Sequence, residues 1–257
     1  MSKIAVIYTT FLRDDLAKKT LKSILNNWNS DYKLLIGDQS GGKSNGELFR
    51  YFVDYLQKNK KRKCVSYYQL PFDCGLSYAR NFLVKKAQEL GCGYCLVTAD
   101  SIKFTKKYKF DSIIKFMELK EGIVKVGFSL KNRVPWEFNM RLLPGECFEL
   151  RLSSEKFLKY LGIEYQKVDI CKNFFLAKTQ LLLNIPWDNE LSLLEHEDHC
   201  WRLKQVGYKT YVTNSINAEY IDDKPLEYKQ YRNRMYLEYR KKLQQKYDIK
   251  GWVKRIF

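Results

Sequence analysis

The sequence predicts an α/β protein with a mostly parallel sheet and helices on both of its faces. Short apolar runs rich in β-branched residues alternate with segments of helical periodicity over the first half of the 257-residue chain. Polar side chains, namely Thr9, Asp38, Asp73 and Asp100, follow four of these runs. Since ligands of such sheets bind at the carboxyl ends of the strands, we expect a polar site at that edge.

The alternation defines the elements of the first half. Asp14 and Asp15 suit the N-terminus of the first helix, whose apolar residues recur with the helical period. The predicted strands are 4–9, 32–37, 64–70, 94–98 and 123–130, and the predicted helices are 14–28, 47–58, 77–90 and 110–119.

The second half is less regular, and no low-complexity linker divides it. The predicted elements are a strand-and-turn segment over 138–153, a buried strand over 168–177, a helix over 197–206, a strand over 209–221 and a basic, aromatic-rich helix over 228–247. Gly207 suits the C-terminus of the helix before it.

The chain is strongly basic, with 46 Lys and Arg against 29 Asp and Glu and a net charge of +17. Such an excess indicates an anionic partner: a nucleic acid, a nucleotide or an acidic membrane surface. Residues 224–257 carry 11 Lys or Arg and three Asp or Glu, so a large part of the excess lies there.

The sequence also indicates where the protein works. No apolar run has the length of a membrane span, and the first residues predict a strand rather than a signal peptide. The seven cysteines form no disulfide framework, so we expect reduced thiols in the cytoplasm. Cys92 and Cys95 form a lone CxxC, which we interpret as structural because zinc needs two further ligands.

The segment LLEHEDHCWR, residues 193–202, concentrates polar side chains inside an apolar run. It places Glu195, His196, Glu197 and Asp198 side by side and contains both histidines of the chain. A buried acidic cluster is costly without partners or a function, whereas a solvated helix N-terminus is the simpler alternative. The spacing is not that of a zinc protease, and GGKS at 41–44 lacks the phosphate-loop spacing.

Five motifs in a fixed order connect this segment to a known family. They read IAVIYTTFLR, LLIGDQS, FDCGLSYARN, YCLVTADS and EHED, the last ahead of Arg202 and Gly207. In this order and spacing, over about residues 4–236, the chain resembles the family 2 glycosyltransferases of GT-A fold. NFFLAKT and IPWDNELSLLEHED look closest to N-acetylgalactosaminyltransferase-like bacterial surface-polysaccharide enzymes.

The resemblance implies a GT-A domain over 1–223, which is a Rossmann-like nucleotide-binding sheet, and a basic helical extension over 224–257. It implies inverting transfer of a hexose or N-acetylhexosamine from a nucleotide sugar, with UDP favoured, to a hydroxyl of a glycan or lipid-linked glycan. A catalytically idle relative is one alternative reading.

The resemblance also implies the donor-binding residues. Thr9 and Phe11 would lie against the base, and Asp38 would accept a hydrogen bond from the uracil imide. Arg80 would pair with the donor's charge or hold the base, as suits a guanidinium. A helix-surface arginine is the alternative for Arg80.

The metal-binding motif departs from the family. The pattern has two carboxylates flanking one residue, because a divalent cation on a diphosphate needs oxygen ligands. Here residues 98–101 read TADS, so Asp100 alone remains, and Glu219 falls where many relatives carry a metal-binding histidine. The resemblance therefore implies Mn²⁺ or Mg²⁺ bound by Asp100 and Glu219. A metal-independent enzyme with cationic side chains on the diphosphate is the alternative.

The EHED segment corresponds to the acceptor side. The resemblance implies that Asp198 is the general base, a role in which placement matters more than a high pKa. Glu197 and His196 would bind the acceptor.

The C-terminal segment resembles the YxxRNRxY tail of cell-surface polysaccharide transferases. Its basic and aromatic residues suit an interfacial helix on anionic lipid, although single-stranded nucleic acid or plain solvation would also fit. We expect a peripheral protein at the inner face of the membrane. A nucleic-acid-binding protein is the competing class, but it leaves the five motifs unexplained and no recognition signature supports it, so we expect no nucleic-acid partner.

Overall fold

The computed structural model describes residues 3–27, 32–42, 48, 50–51, 54, 64–119, 121–131, 138–143, 145–221, 226–251 and 254–256. Its strands are β1 Lys3–Thr10, β2 Tyr32–Asp38, β3 Val65–Gln69, β4 Cys92–Ala99, β5 Ile102–Lys103, β6 Ile123–Lys131, β7 Phe138–Leu143, β8 Cys147–Leu152, β9 Leu158–Tyr160, β10 Ile163–Val168, β11 Phe175–Lys178, β12 Lys209–Tyr220 and β13 Lys254–Ile256. Its helices are α1 Asp14–Asn26, α2 Gly75–Glu89, α3 Asp111–Leu119, α4 Thr179–Asn184, α5 Glu195–Gln205, α6 Leu226–Asn233 and α7 Tyr236–Tyr247.

The main sheet has the order β3-β2-β1-β4-β11-β6-β12-β10-β9, and β5 pairs with β12. The strands β3, β2, β1 and β4 are parallel, as the sequence predicts. The chain runs outward from β1 in both directions, so a crevice lies at the carboxyl ends of β1 and β4. Thr9 pairs with Ala99, and Thr10 with Asp38, which brings three strand ends to one edge.

Helices cover both faces of this sheet. Leu21 of α1 and Phe116 of α3 belong to the hydrophobic cluster on one face. Leu83 of α2 and Leu181 of α4 belong to the cluster on the other. The predicted α/β class is therefore confirmed. Most of the predicted helix 47–58 lies outside the described residues.

The predicted strand over 168–177 is wrong. β10 ends at Val168 next to β12, whereas β11 begins at Phe175 and runs antiparallel between β4 and β6. The chain must cross from the far side of the sheet to its centre between these two places. A single straight strand does not allow this crossing. The apolar run over 168–177 therefore contains the end of β10, a connection and the start of β11.

The C-terminal part packs on the rest of the chain instead of forming the single helix predicted over 228–247. Two helices, α6 and α7, are separated at Arg234 and Met235. Leu243 of α7 and Ile249 share a hydrophobic cluster with Phe148 of β8. β13 extends a small sheet of order β13-β8-β7. Within the described segments, no helix is long and apolar enough to cross a lipid bilayer.

Candidate functional site

A cavity of about 630 Å³ opens at the carboxyl ends of β1 and β4. This volume lies within the range of small-molecule sites. The end of β1 and the start of α2 form its floor, and α6 covers it. Its polar and aromatic lining residues include Thr9, Phe11, Arg13, Gln39, Asp73, Arg80, Asp100, Lys172, Asn173, His196, Tyr220, Tyr228, Tyr231, Arg232 and Arg234.

One wall of this cavity is aromatic. The ring of Phe11 lies 5.5 Å from Phe72, 5.8 Å from Tyr231 and 6.4 Å from Tyr228, measured between centroids. Such faces offer a planar heterocycle a stacking surface. Phe11, Tyr228 and Tyr231 line the cavity, and the last two belong to α6, so the C-terminal extension contributes directly to the cavity.

A buried ion pair lies beside the aromatic wall. The Asp100 carboxylate accepts a hydrogen bond from Thr10 Oγ1 at 3.1 Å and is paired with the Arg13 guanidinium. The guanidinium carbon lies 4.5 Å from the centre of the Tyr228 ring. Among the described residues, Arg13 Nε and Nη1 are buried and have no hydrogen-bond partner. The site thus contains a cation with two N–H groups left for a ligand.

Arg80 lines the same cavity from inside α2. It is 1% exposed and donates a 2.9 Å hydrogen bond to Glu195. Burial lowers the pKa of the Arg80 guanidinium, and Glu195 opposes this shift. The alternative of a helix-surface arginine is therefore excluded.

Asp38 ends β2, but its side chain is used within the protein. The Tyr67 hydroxyl and the backbone N–H of Ser40 both donate to its carboxylate, the latter at 2.9 Å. Burial and this carboxylate raise the pKa of Tyr67, which keeps the phenol protonated as a donor. The neighbouring Gln39, not Asp38, lines the cavity.

The first turn of α5 lies beside a second cavity of about 390 Å³. Glu195 and Glu197 line it, and His196 lines both cavities. His196 Nε2 contacts the backbone carbonyl of Cys171. Burial, together with the positive charge of Lys125, holds the pKa of His196 well below its usual value, so the ring is neutral near pH 7.

Asp198 faces away from both cavities. Its carboxylate is fully buried and accepts hydrogen bonds from Arg202 Nε at 2.9 Å and from the Tyr247 hydroxyl at 2.7 Å. Lys246 Nζ lies 2.8 Å from it. Two of these three partners come from α7, so Asp198 connects α5 to the C-terminal helix.

Glu219 is also separated from the first cavity. Tyr220 on the same strand lines the cavity, while Glu219 accepts a 2.9 Å hydrogen bond from Lys103. Successive side chains of a strand point to opposite faces, which accounts for the difference. No group of three or more His, Cys, Asp or Glu side chains able to hold a metal ion occurs in the described part of the chain.

The structure therefore divides the predicted site residues into two sets. Thr9, Phe11, Arg80, Asp100 and His196 line the first cavity, and Glu197 joins His196 at the second. The side chains of Asp38, Asp198 and Glu219 line neither.

Sequence reasoning missed Arg13, Gln39 and the cavity residues of α6. Arg13 is the last residue of the opening motif IAVIYTTFLR, and Arg232 and Arg234 are the arginines of the RNR tail. Both motifs therefore carried a signal that could have identified these residues as part of the site.

No protein-family model matches the sequence, and no curated protein matches it. Solved structures do match. The chain is similar to GalNAc-T7 with UDP, GalNAc and Mn²⁺, with a TM-score of 0.67 and 11% identity over 98% of this chain and 55% of that one. It is similar to the mannosyltransferase PcManGT from Pyrobaculum calidifontis in complex with GDP-Man and Mn²⁺, with a TM-score of 0.61 and 10% identity over 95% and 64%.

A third match is S. aureus TarS 1-349 in complex with UDP, with a TM-score of 0.58 and 12% identity over 96% of this chain and 72% of that one. These neighbours are GT-A glycosyltransferases, and the chain has the GT-A fold. It spans less than two thirds of the length of GalNAc-T7 and PcManGT.

Proposed function

We propose that the protein is a glycosyltransferase that uses a nucleotide-sugar donor. The observation that carries this proposal is the cavity at the carboxyl ends of β1 and β4, in a GT-A fold. It combines an aromatic wall around Phe11 with the cationic side chains of Arg13 and Arg80. A nucleotide sugar has the matching chemistry, since a planar base stacks on rings and a diphosphate pairs with guanidinium groups.

We further propose a UDP-sugar donor that carries a hexose or an N-acetylhexosamine. Two of the three neighbours above are complexed with UDP and one with GDP-Man, so GDP is the alternative nucleotide. Thr9 and Phe11 would contact the base. Asp38 would accept a hydrogen bond from the base only if its hydrogen bonds with Tyr67 and Ser40 rearrange. Gln39 lines the cavity and is therefore the better candidate for this contact with the base.

The second cavity is the proposed acceptor site, with Glu197 and His196 on its wall. In an inverting displacement, an acceptor oxygen bonds to the anomeric carbon while the bond from that carbon to the diphosphate oxygen breaks. The electron pair leaves with the diphosphate, and the acceptor proton passes to a base. Asp198 remains our proposal for this base, although it must first exchange a partner in its hydrogen-bond network.

We propose a role in cell-surface polysaccharide assembly with a glycan or lipid-linked acceptor, at the cytoplasmic face of a membrane. The support is the charge of residues 224–257 together with Leu226 and Leu237, which are 69% and 68% exposed. A basic surface with exposed apolar side chains suits anionic lipid. A nucleic-acid site is less favoured, because Tyr228 and Tyr231 face the cavity rather than an open surface.

The side chains of the site fit the expected divalent metal ion poorly. Two of the neighbours are complexed with Mn²⁺. In this chain Asp100 is already neutralised by Arg13, and Glu219 pairs with Lys103 outside the cavity. The remaining position of the motif is Thr98, a neutral hydroxyl. A divalent cation needs about six oxygen ligands, so the described residues do not fit a protein-held Mn²⁺ or Mg²⁺ ion.

A panel of nucleotide sugars tests the proposed function. We expect hydrolysis of at least one UDP-sugar, and we expect millimolar UDP to raise the melting temperature because it binds only the folded state. An oligonucleotide serves as the control and should leave the melting temperature unchanged. Stabilisation by the oligonucleotide alone would contradict the proposal, and UDP binding without any hydrolysis or transfer would indicate the idle relative.

A further inference from the structure

We propose that Arg13 supplies the positive charge for the donor's diphosphate, in the place where the expected metal ion would act. This inference rests on the proposed function. The leaving nucleoside diphosphate gains negative charge as the sugar–oxygen bond breaks, and a fixed cation beside it stabilises that charge. The contacts of Asp100 identify Arg13 as this cation.

Asp100 already has a cationic partner inside the protein. Arg13 contacts its carboxylate, and Thr10 Oγ1 donates to it at 3.1 Å. Asp100 is 1% exposed, so the pair is shielded from solvent. A metal ion at this carboxylate would have to displace the guanidinium, whereas a diphosphate can bind the guanidinium without disturbing Asp100.

Arg13 retains the donors that a diphosphate requires. One Nη atom faces Asp100, and Nε and Nη1 are buried without a hydrogen-bond partner among the described residues. The side chain is 9% exposed and lines the first cavity. Buried N–H groups without partners are costly, and phosphate oxygens are strong acceptors for the N–H donors of a guanidinium. These donors therefore indicate a ligand anion.

The neighbours of Arg13 hold it in place for this role. Tyr228 covers the guanidinium at 4.5 Å, and Asp100 fixes its other edge. Asp100 thus acts as a positioning residue for Arg13 rather than as a metal ligand. Arg232 and Lys172 line the same cavity and add positive charge around the bound anion.

The step through Arg13 is balanced without a co-reactant. The acceptor oxygen bonds to the anomeric carbon, and the carbon–oxygen bond to the diphosphate breaks. The electron pair remains on the diphosphate oxygen, and the acceptor proton passes to the base. Arg13 stays protonated throughout and contributes only N–H donors and charge.

Calorimetry with UDP and uridine tests the inference, because the two ligands differ only in the diphosphate. In excess chelator we expect wild-type protein to bind UDP with an affinity within about twofold of that in Mn²⁺. We expect Arg13→Gln to weaken UDP binding by roughly tenfold or more, as for a lost charged hydrogen bond, and to leave uridine binding unchanged. Arg13→Lys should give an intermediate loss, since it keeps the charge but not the several N–H donors of the guanidinium.

Two further variants make the result specific. Arg141→Gln removes an exposed arginine of β7 that does not line the cavity, so UDP binding should remain at the wild-type level. The double variant Arg13→Gln with Asp100→Asn avoids an unpaired buried carboxylate, so its fold should persist while UDP binding stays weak. Melting curves and circular dichroism report whether each variant folds.

The outcomes separate the two proposals. Loss of UDP binding in chelator with recovery on adding Mn²⁺ would overturn the assignment of Arg13 and restore the metal. Equal weakening of UDP and uridine by Arg13→Gln would also overturn it, because the effect would not involve the diphosphate. Failure of UDP and GDP to bind with or without metal would instead overturn the proposed function on which the inference rests.

Discussion

Two adjacent acidic residues, Glu197 and Asp198, have opposite surroundings. Glu197 lines the second cavity, whereas Asp198 is fully buried among Arg202, Lys246 and Tyr247. Consecutive residues of a helix point about 100° apart, so the EHED segment turns one carboxylate to the cavity and the other to α7. Its sequence is compatible with both a catalytic role for Asp198 and a structural one.

Asp198→Asn separates these two roles when it is compared with Tyr247→Phe. Tyr247→Phe removes the 2.7 Å hydrogen bond that the Tyr247 hydroxyl donates to Asp198 and keeps the carboxylate, whereas Asp198→Asn keeps an acceptor oxygen and removes the negative charge. We expect each to lower the free energy of unfolding by about 1–3 kcal/mol, and more for Asp198→Asn because it leaves cations without a partner. If Asp198 is the base, only Asp198→Asn lowers the transfer rate, by about 10²–10⁴-fold.

The measurements for this pair are denaturant unfolding and the steady-state transfer rate. A transfer rate above about a tenth of wild type in Asp198→Asn would contradict the base assignment. The same result with a lowered stability would leave Asp198 as the residue that holds α7 against α5.

At the scale of elements, the first half of the fold could be predicted from the sequence more fully than the second. β1, β2 and β6 are continuous apolar runs buried in the sheet, so their ends were predicted to within one residue. β11 could not be predicted, because its place between β4 and β6 depends on pairing with residues far along the chain. The break between α6 and α7 likewise follows from their two different contacts, one with the cavity and one with α5.

The position of the candidate site could be predicted from the sequence, but the contacts of its side chains could not. The carboxyl edge of the sheet was predicted, and Thr9 and Asp100 do line the cavity there. The direction of the Asp38 side chain was not, because it depends on the Tyr67 hydroxyl of the neighbouring β3. Periodicity determines which strand ends meet, whereas the contacts of each side chain are set by residues distant in the sequence.

Asp73 provides a test of how α6 is held over the cavity. Its carboxylate pairs with Arg234 and accepts a hydrogen bond from the Tyr231 hydroxyl at 3.2 Å. Asp73→Asn removes the charge while an asparagine tolerates the positive φ of 51° at this position. We expect faster amide hydrogen exchange over 226–233 and weaker UDP binding, because the end of α6 loses the ion pair between Arg234 and Asp73.

Glu227→Gln is the matched control for this prediction, since it removes a carboxylate from the same region that does not line either cavity. We expect amide hydrogen exchange over 226–233 in Glu227→Gln, measured by mass spectrometry, to remain at the wild-type rate. Unchanged exchange over 226–233 in Asp73→Asn would show that the aromatic contacts of Phe11, Tyr228 and Tyr231 alone hold α6 in place.

At the scale of the whole molecule, the C-terminal extension contributes residues to the hydrophobic core as well as to the proposed membrane-binding surface. Leu243 and Ile249 are buried with Trp201, and Lys246 pairs with Asp188 as well as Asp198. A truncation that removes α7 would therefore expose part of the hydrophobic core and would not test membrane binding alone. Substitution of exposed lysines tests it without disturbing these contacts.

Lys241, Lys242 and Lys250 are exposed or partly exposed residues of the extension that line neither cavity, and Lys106, Lys107 and Lys109 are exposed residues elsewhere in the chain. We expect the triple change of the first set to glutamine to weaken binding to vesicles rich in anionic lipid. Each lysine near such a surface contributes on the order of 1 kcal/mol, so the three together should account for roughly 3 kcal/mol. The second set makes the same change in net charge and should have a much smaller effect.

Co-sedimentation with anionic and neutral vesicles measures this difference, and hydrolysis of a free UDP-sugar should remain at the wild-type rate in both triple variants. Salt should weaken the binding of the wild type, because the charges are screened over about 10 Å at 0.1 M ionic strength. Equal losses from the two triple variants would show that net charge rather than the extension attracts the protein to lipid. Binding that neither variant changes would contradict a basic membrane face on the C-terminal extension.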